Sequence, residues 1–233
     1  MCKKALLTLA ALALAGVTAL AAGRDEVVTS SDGRMTFIPR RTQSFTRKSP
    51  SSAGLVTIFD NVGKAYPKGE YSCCDGFTVT GPAAPSGPEA WVAAAFRPKT
   101  DHTVTMVEVA VSLIAGADEL VLSLSNDAGG VPGAAIKTWH LRSLPAAGTC
   151  CTIEVVKDGA GIPVTGGTQY WIVVRTKNGS DTQAVWDVND TNQVNARKTA
   201  FYCSGQAGVC QNNDQWTVEP RLPGPAFAVL GSE

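Results

Sequence analysis

From Gly54 onward, apolar residues recur at every second position in short runs, and Gly, Pro, Asn or Asp separates one run from the next. A two-residue period is that of a β-strand, whose successive side chains point to opposite faces. The clearest run is Thr105 to Leu113: Val107, Val109, Val111 and Leu113 share one face, and Glu108, Ala110 and Ser112 take the other. In Glu119 to Ser125, Leu120, Leu122 and Leu124 alternate with Val121, Ser123 and Ser125. Tyr170 to Thr176 is apolar on both faces up to Arg175, which predicts a central strand. Weaker runs predict strands at Leu55–Asp60, Phe77–Thr80, Trp91–Phe96, Ile136–Leu141, Cys151–Val156, Ala184–Val188, Thr199–Tyr202, Trp216–Val218 and Ala226–Leu230. Turn residues join them at Ala115 to Asp118, Asn126 to Gly130, Val164 to Gly167 and Lys177 to Ser180. No long helical period interrupts this pattern. Short strands with a turn every ten or so residues predict an all-β fold, an antiparallel, jelly-roll-like β-sandwich.

The succession IFDN, WVAAAFRP, HTVTMVEVAVSL, LSLSNDAGGVPGAAIKTWHL, GTQYWIVV, AVW and AFAVLG, over about residues 55 to 231, resembles the choice-of-anchor R-type domains of secreted bacterial proteins. That resemblance implies a β-sandwich delivered to the cell surface by a variable C-terminal anchor. It implies no catalytic residues. The C-terminus of this chain, FAVLGSE, reads as a short strand-like end and not as such an anchor.

Residues 1–21 have the parts of a secretory signal: Lys3 and Lys4, an apolar run from Ala5 to Val17, and the small-x-small site Ala19-Leu20-Ala21. The apolar run is shorter than the roughly 20 residues of a comfortable bilayer span, so cleavage is expected and no transmembrane segment after it. Cys2 precedes the run and leaves with the signal. The expected location is extracellular or periplasmic. Residues 22–52 are rich in Ser, Thr, Arg and Gly and predict a flexible linker, with the sandwich domain occupying 53–233. Lys plus Arg and Asp plus Glu number 20 each, so the whole chain is balanced. The linker is locally basic, with Arg24, Arg34, Arg40, Arg41, Arg47 and Lys48 against Asp25, Glu26 and Asp32. These charges are scattered and lack interleaved aromatics, which favours a solvated leader over a contact with anionic polymer or a membrane surface, and no nucleic-acid partner is expected.

Without Cys2 there remain Cys73, Cys74, Cys150, Cys151, Cys203 and Cys210, an even number in a compartment that permits disulfides. Six cysteines allow fifteen connectivities. If Cys73-Cys74 and Cys150-Cys151 lie in neighbouring antiparallel strands, one sulfur of each pair faces each side. Cys73 would then bond Cys151, and Cys74 would bond Cys150, at the Cα separation that opposed strand residues provide. The rival is a vicinal bridge within either pair. Cys203 and Cys210 bracket SGQAGV and would close that loop. The spacings are not those of zinc sites, and no metal or cofactor is expected.

The two histidines, His102 and His140, sit at or within predicted strands and are expected to be ordinary strand or surface residues. No G-x-S-x-G elbow or H-E-x-x-H helix occurs. A glycoside hydrolase needs only two carboxylates, for which Glu108, Glu119 and Glu154 are candidates by residue type, each expected to be a solvated strand residue. No catalytic residue is assigned. The polar, aromatic segment from Ala184 to Arg197 places Trp186 beside Asp187, Asn189, Asp190 and Asn192, and Gln211 to Trp216 repeats the mix. An aromatic face beside amides and carboxylates suits sugar recognition. Against this, Trp186 and Trp216 could be sandwich-core residues. Three functions follow: a secreted, non-catalytic structural or interaction protein, whose partner is a glycan or another extracellular protein; a carbohydrate-binding module; and an extracellular hydrolase.

Overall fold

The computed structural model describes residues 26–29, 34–38, 54–62, 71–85, 87–148, 154–189, 198–204, 214–220 and 222–233; for 26–29, 34–38 and 72–74 it describes the backbone. Its elements are strands: β1 (Glu26–Thr29), β2 (Arg34–Ile38), β3 (Val56–Asp60), β4 (Tyr71–Thr80), β5 (Ala90–Phe96), β6 (His102–Val109), β7 (Val111–Ala115), β8 (Glu119–Asp127), β9 (Pro132–Arg142), β10 (Glu154–Val164), β11 (Tyr170–Thr176), β12 (Gln183–Asn189), β13 (Thr199–Cys203), β14 (Trp216–Glu219) and β15 (Phe227–Ser232). No helix among the described residues is long and apolar enough to cross a membrane.

The strands form two antiparallel sheets. The larger runs β1-β2-β4-β5-β11-β8-β9, with β12 and β7 attached to β4 and with β13 and β14 attached to β5; the smaller runs β10-β6-β15-β3. The sheets pack into a sandwich-like fold. Its core joins Val92, Leu120, Leu122, Leu124, Ile172 and Val174 from the larger sheet to Val104, Val107, Val109, Val156, Phe227 and Val229 from the smaller. The alternation read in Leu120, Leu122 and Leu124 thus marks a core-facing row. Tyr170–Thr176 is central as expected, lying between β5 and β8.

At one open side β9 and β10 meet, where the Lys137 ammonium lies 2.7 Å from the Asp158 carboxylate. The Lys137 hydrogen bond is the largest influence on that carboxylate. Together with the Ala160 and Gly161 amides and the Lys137 charge, it outweighs desolvation and lowers the Asp158 pKa.

Four expectations are corrected. The run from Thr105 to Leu113 is two strands, because the chain passes from the smaller sheet to the larger at Ala110, and β6 and β7 serve different sheets. Val107, Val109 and Val111 still face one core, which is why their period stays unbroken. The linker expected at 22–52 contains the hairpin β1–β2. Its register runs from Glu26 opposite Ile38 to Thr29 opposite Met35, and β2 joins β4 at Arg34 opposite Phe77. Met35 and Phe37 alternate with Arg34 and Thr36, a short strand period set within a basic, Ser- and Thr-rich stretch.

The third correction concerns the expectation that the strand predicted at Cys151–Val156 neighbours the one that carries Cys73 and Cys74. Strand β4 belongs to the larger sheet and β10, which begins at Glu154, to the smaller, so β4 and β10 do not lie side by side in one sheet. Cys73 and Cys74 also sit where β4 bulges. Gly76 is opposite Asp187, but Tyr71 is opposite Asn189, which breaks the strict alternation the pairing assumed. Cys150, Cys151 and Cys210 lie outside the described residues. Cys203 is buried and disulfide-bonded. The fourth correction is Glu108, which is 1% exposed rather than solvated.

Around Ala110 a buried polar ladder ties the sheets together. The Asp187 amide donates to the Ala110 carbonyl at 2.8 Å, and the Ala110 and Ala226 amides donate to the Ala226 and Asp187 carbonyls at 3.1 and 2.8 Å. Asn61, fully buried, extends it. Its side-chain amide donates to the Pro225 carbonyl at 2.8 Å, its side-chain oxygen accepts from the Phe227 amide at 2.7 Å, and its carbonyl accepts from the Asn189 side chain at 3.0 Å. The Asp187 carboxyl lies within this ladder and accepts the Tyr71 hydroxyl at 2.9 Å. Its pKa is raised well above the ordinary value. Burial is the main cause, the Asp75 charge adds to it, and the Tyr71 hydrogen bond opposes it.

Two outcomes follow. Asn61→Ala leaves a buried amide and a buried carbonyl without partners, and should lower unfolding stability by about 3 kcal/mol with an unchanged denaturant slope. Asp187→Asn keeps the acceptor for Tyr71 and removes the titration. Because the folded pKa is raised, the carboxyl's contribution is complete below the unfolded pKa and is lost as pH rises toward the folded one. The variant should therefore gain on the parent by up to about 1.4 kcal/mol per pH unit above pH 4. Thermal melts of both proteins from pH 4 to 8 check this; a constant difference contradicts it.

Candidate functional site

The residues proposed for sugar recognition separate in the structure. Trp186 is 0% exposed, donates its indole N–H to the Ala226 carbonyl at 2.9 Å, and meets Phe227 edge-on. Asp187 and Asn189 are buried in the ladder around it. Asp190 lies outside the described residues. Strand β12 runs between β4 and β7, and Trp186 points into the shared core, so these side chains hold the fold and offer no rim. This corrects the expectation of a binding surface at Trp186, Asp187 and Asn189.

Trp216 behaves differently. It is half-buried and sits on β14, which pairs only with β13 among the described strands. Register places it opposite Tyr202, and Tyr202 opposite Trp91. The rings of Trp91 and Tyr202 stack at 4.2 Å and 22°, and Trp216 tilts against both, at 6.3 and 5.9 Å. Beyond Trp91, on β11, the Arg175 guanidinium lies over the indole at 5.7 Å from its centre, within cation–π range. Trp91 thus stands between Tyr202 and Arg175.

Period 2 explains why this row faces outward. Val92, Ala94 and Phe96 enter the core, so Trp91, Ala93 and Ala95 take the opposite face; likewise Phe201 enters the core and Ala200 and Tyr202 do not. Beside the row, Ala93, Ala95, Trp171, Val173 and Ala200 form a small buried cluster against which Trp216 packs. The Trp171 indole donates to the Asp127 carboxylate at 2.8 Å. Desolvation pushes the Asp127 pKa up, but the donations from Trp171, Gly130 and Gln169 and the Lys198 charge outweigh it, and the net shift is downward.

Polar groups border the rings. Glu89 accepts the Trp91 indole N–H at 3.0 Å, and Asp214 accepts the Tyr202 hydroxyl at 3.2 Å. Desolvation, then the Asp214 hydrogen bond and nearby negative charge, raise the Tyr202 pKa, so the hydroxyl stays a donor. Aromatic surface bordered by carboxylates and a guanidinium is suited to holding a polar ligand with apolar C–H faces.

The carboxylates considered for hydrolysis do not converge. Glu154 is opposite Val109 and Glu108 is opposite Val155, so Glu108 and Glu154 point to opposite faces of the smaller sheet. Burial first, and the Asp118 charge second, raise the Glu154 pKa. Glu119 is on the outer face of the larger sheet, bonded to His140 at 2.9 Å. That bond chiefly lowers its pKa, aided by Lys177 and Arg142 against some desolvation. His102 bonds Thr100 at 3.0 Å at the start of β6. Both histidines occupy strands, as expected.

Trp91, Tyr202, Arg175, Glu89 and Asp214 were missed by sequence reading. Alternation within β5 and β13 could have placed Trp91 and Tyr202 outside; their meeting depends on strand order, which no local pattern carries. In comparisons with known proteins, no family model, curated protein or solved structure matches the chain.

Proposed function

We propose that this chain is an exported, non-catalytic, jelly-roll-like β-sandwich that binds carbohydrate on the outer face of its larger sheet. The observation that carries this reading is the outward-facing cluster of Trp91, Tyr202 and Trp216, bordered by Glu89, Asp214 and Arg175. Contiguous aromatic surface left half-solvated on one face is the kind of patch that marks an interaction site.

The signal-like segment at residues 1–21 and the paired cysteines support export, as does the resemblance to choice-of-anchor domains. In this reading Cys203 pairs with Cys210. A structural or adhesive role in the envelope is compatible with the same surface, because glycan binding is one way such a protein is retained.

A glycan array probed with the mature chain tests this. Binding of at least one glycan class is expected, weakened about tenfold or more by Tyr202→Ala or by Trp216→Ala, since loss of an aromatic contact is worth 1.4 kcal/mol or more. Tyr202→Phe, which keeps the ring, should retain most of the affinity. Absence of any glycan bound by the parent, with a native melting transition, would overturn the reading.

A further inference from the structure

The aromatic row continues across the sheet into a group of cations. Arg175, beside Trp91, is opposite Val121, and Val121 is opposite His140. Trp216, Tyr202, Trp91, Arg175, Val121 and His140 therefore form one cross-strand line over six adjacent strands, β14-β13-β5-β11-β8-β9. Its five inter-strand spacings span about 24 Å.

The cationic end is well defined. Leu120, Leu122 and Leu141 enter the core, so Glu119, Val121, His140 and Arg142 face outward. Glu119 lies opposite Arg142, and its carboxylate oxygens are 2.9 Å from His140 Nδ1, 3.5 Å from Arg142 Nη2 and 3.9 Å from Lys177 Nζ. The side chains of His140, Arg142 and Lys177 are 54%, 70% and 63% exposed, whereas Glu119 is only 17% exposed. The single carboxylate lies low and the bases stand above it. Arg142, Lys177 and His140 face this one carboxylate, and Arg175, beside Trp91, adds a third permanent cation further along the line, so positive charge is left over toward solvent. At the other end, Glu89 and Asp214 are engaged with the Trp91 indole and the Tyr202 hydroxyl.

We infer that the glycan is an anionic polysaccharide, lying across the strands with sugar rings against the Trp216–Tyr202–Trp91 end and carboxylate or sulfate groups against Arg175, His140, Arg142 and Lys177. Charge complementarity chooses this occupant over a neutral glycan, and the aromatic end chooses it over a bare anionic surface. This inference rests on the carbohydrate-binding reading above.

The test uses the mature chain and four probes: polygalacturonate, dextran sulfate, neutral dextran and anionic phospholipid vesicles. Binding is measured by calorimetry or co-sedimentation at low and at high salt. The expected result is binding to one or both polyanionic glycans, weakened at high salt, with neutral dextran and vesicles bound at least tenfold less well. Polygalacturonate and dextran sulfate distinguish carboxylate from sulfate as the preferred group.

Arg142→Ala/Lys177→Ala alters two exposed side chains that the core does not need, and should reduce polyanion affinity about tenfold or more while the melting temperature stays unchanged. Trp216→Phe, which keeps an apolar ring on β14, should reduce it less than Trp216→Ala. Glycan binding that ignores salt and the Arg142/Lys177 double substitution but is lost in Trp216→Ala would overturn the anionic assignment and leave the carbohydrate reading intact. Equal binding to vesicles and to polyanionic glycans, unaffected by Trp216→Ala, would overturn both.

Discussion

The two sheets depend on one another through the passage of the main chain at Ala110. A strand that leaves one sheet for another must surrender its ladder partners at the crossing, and buried peptide groups left without partners are costly. Here the peptide groups of Ala110, Asp187 and Ala226 satisfy one another, and Asn61 and Asn189 complete the set with their side chains. The partners come from positions 61, 110, 187–189 and 224–227. Four distant parts of the chain must therefore arrive together before all of these groups are satisfied. That explains why Trp186, Asp187 and Asn189, which look like a sugar site in sequence, are interior: a crossing needs polar groups inside, and β12 supplies them.

Relieved of that duty, the outer face of the larger sheet has a different composition. On its inner face Leu, Ile and Val rows mix with Phe77, Phe96, Trp186 and Phe201; outside, one end carries Trp91, Tyr202 and Trp216 beside small residues on the same strands, and the other end is charged. Ala93, Ala95 and Ala200 leave room for Trp171 to be buried on the outer side, and Trp171 is pinned there by Asp127. Packing there fixes the strands on which Arg175, Trp91 and Tyr202 stand. Arg175 shares a strand with Trp171 and Val173, so the guanidinium is carried by a rigid element rather than by a loop tip.

Much of the fold was legible because the core uses residues of one type at period 2. Leu120, Leu122 and Leu124, the Val row of 107 to 111, and the two-sided apolar run of β11 each gave their position correctly. What failed has physical causes. The alternation of Val109 and Val111 is the same whether the strand continues in one sheet or crosses between two, so the switch at Ala110 left no mark. Burial of Glu108 and Asp187 runs against the ordinary preference of carboxylates for water, and only tertiary partners make it tolerable. Of the candidate site, Trp216 alone was read, from the polar residues around it; Trp91 and Tyr202 sit in apolar runs whose outward side has no signature without the neighbouring strands.

The row from Trp216 to His140 is assembled from strands that lie between positions 90 and 219 of the chain, and its members are neighbours in space but not in sequence. Contacts of such high sequence separation form late and slowly during folding. A partly folded or nicked chain could keep its central hairpins and still lack the complete line. Recognition through this face, as proposed, would then certify that the molecule is whole, and a surface that works only when intact would keep damaged copies from competing for the same partner.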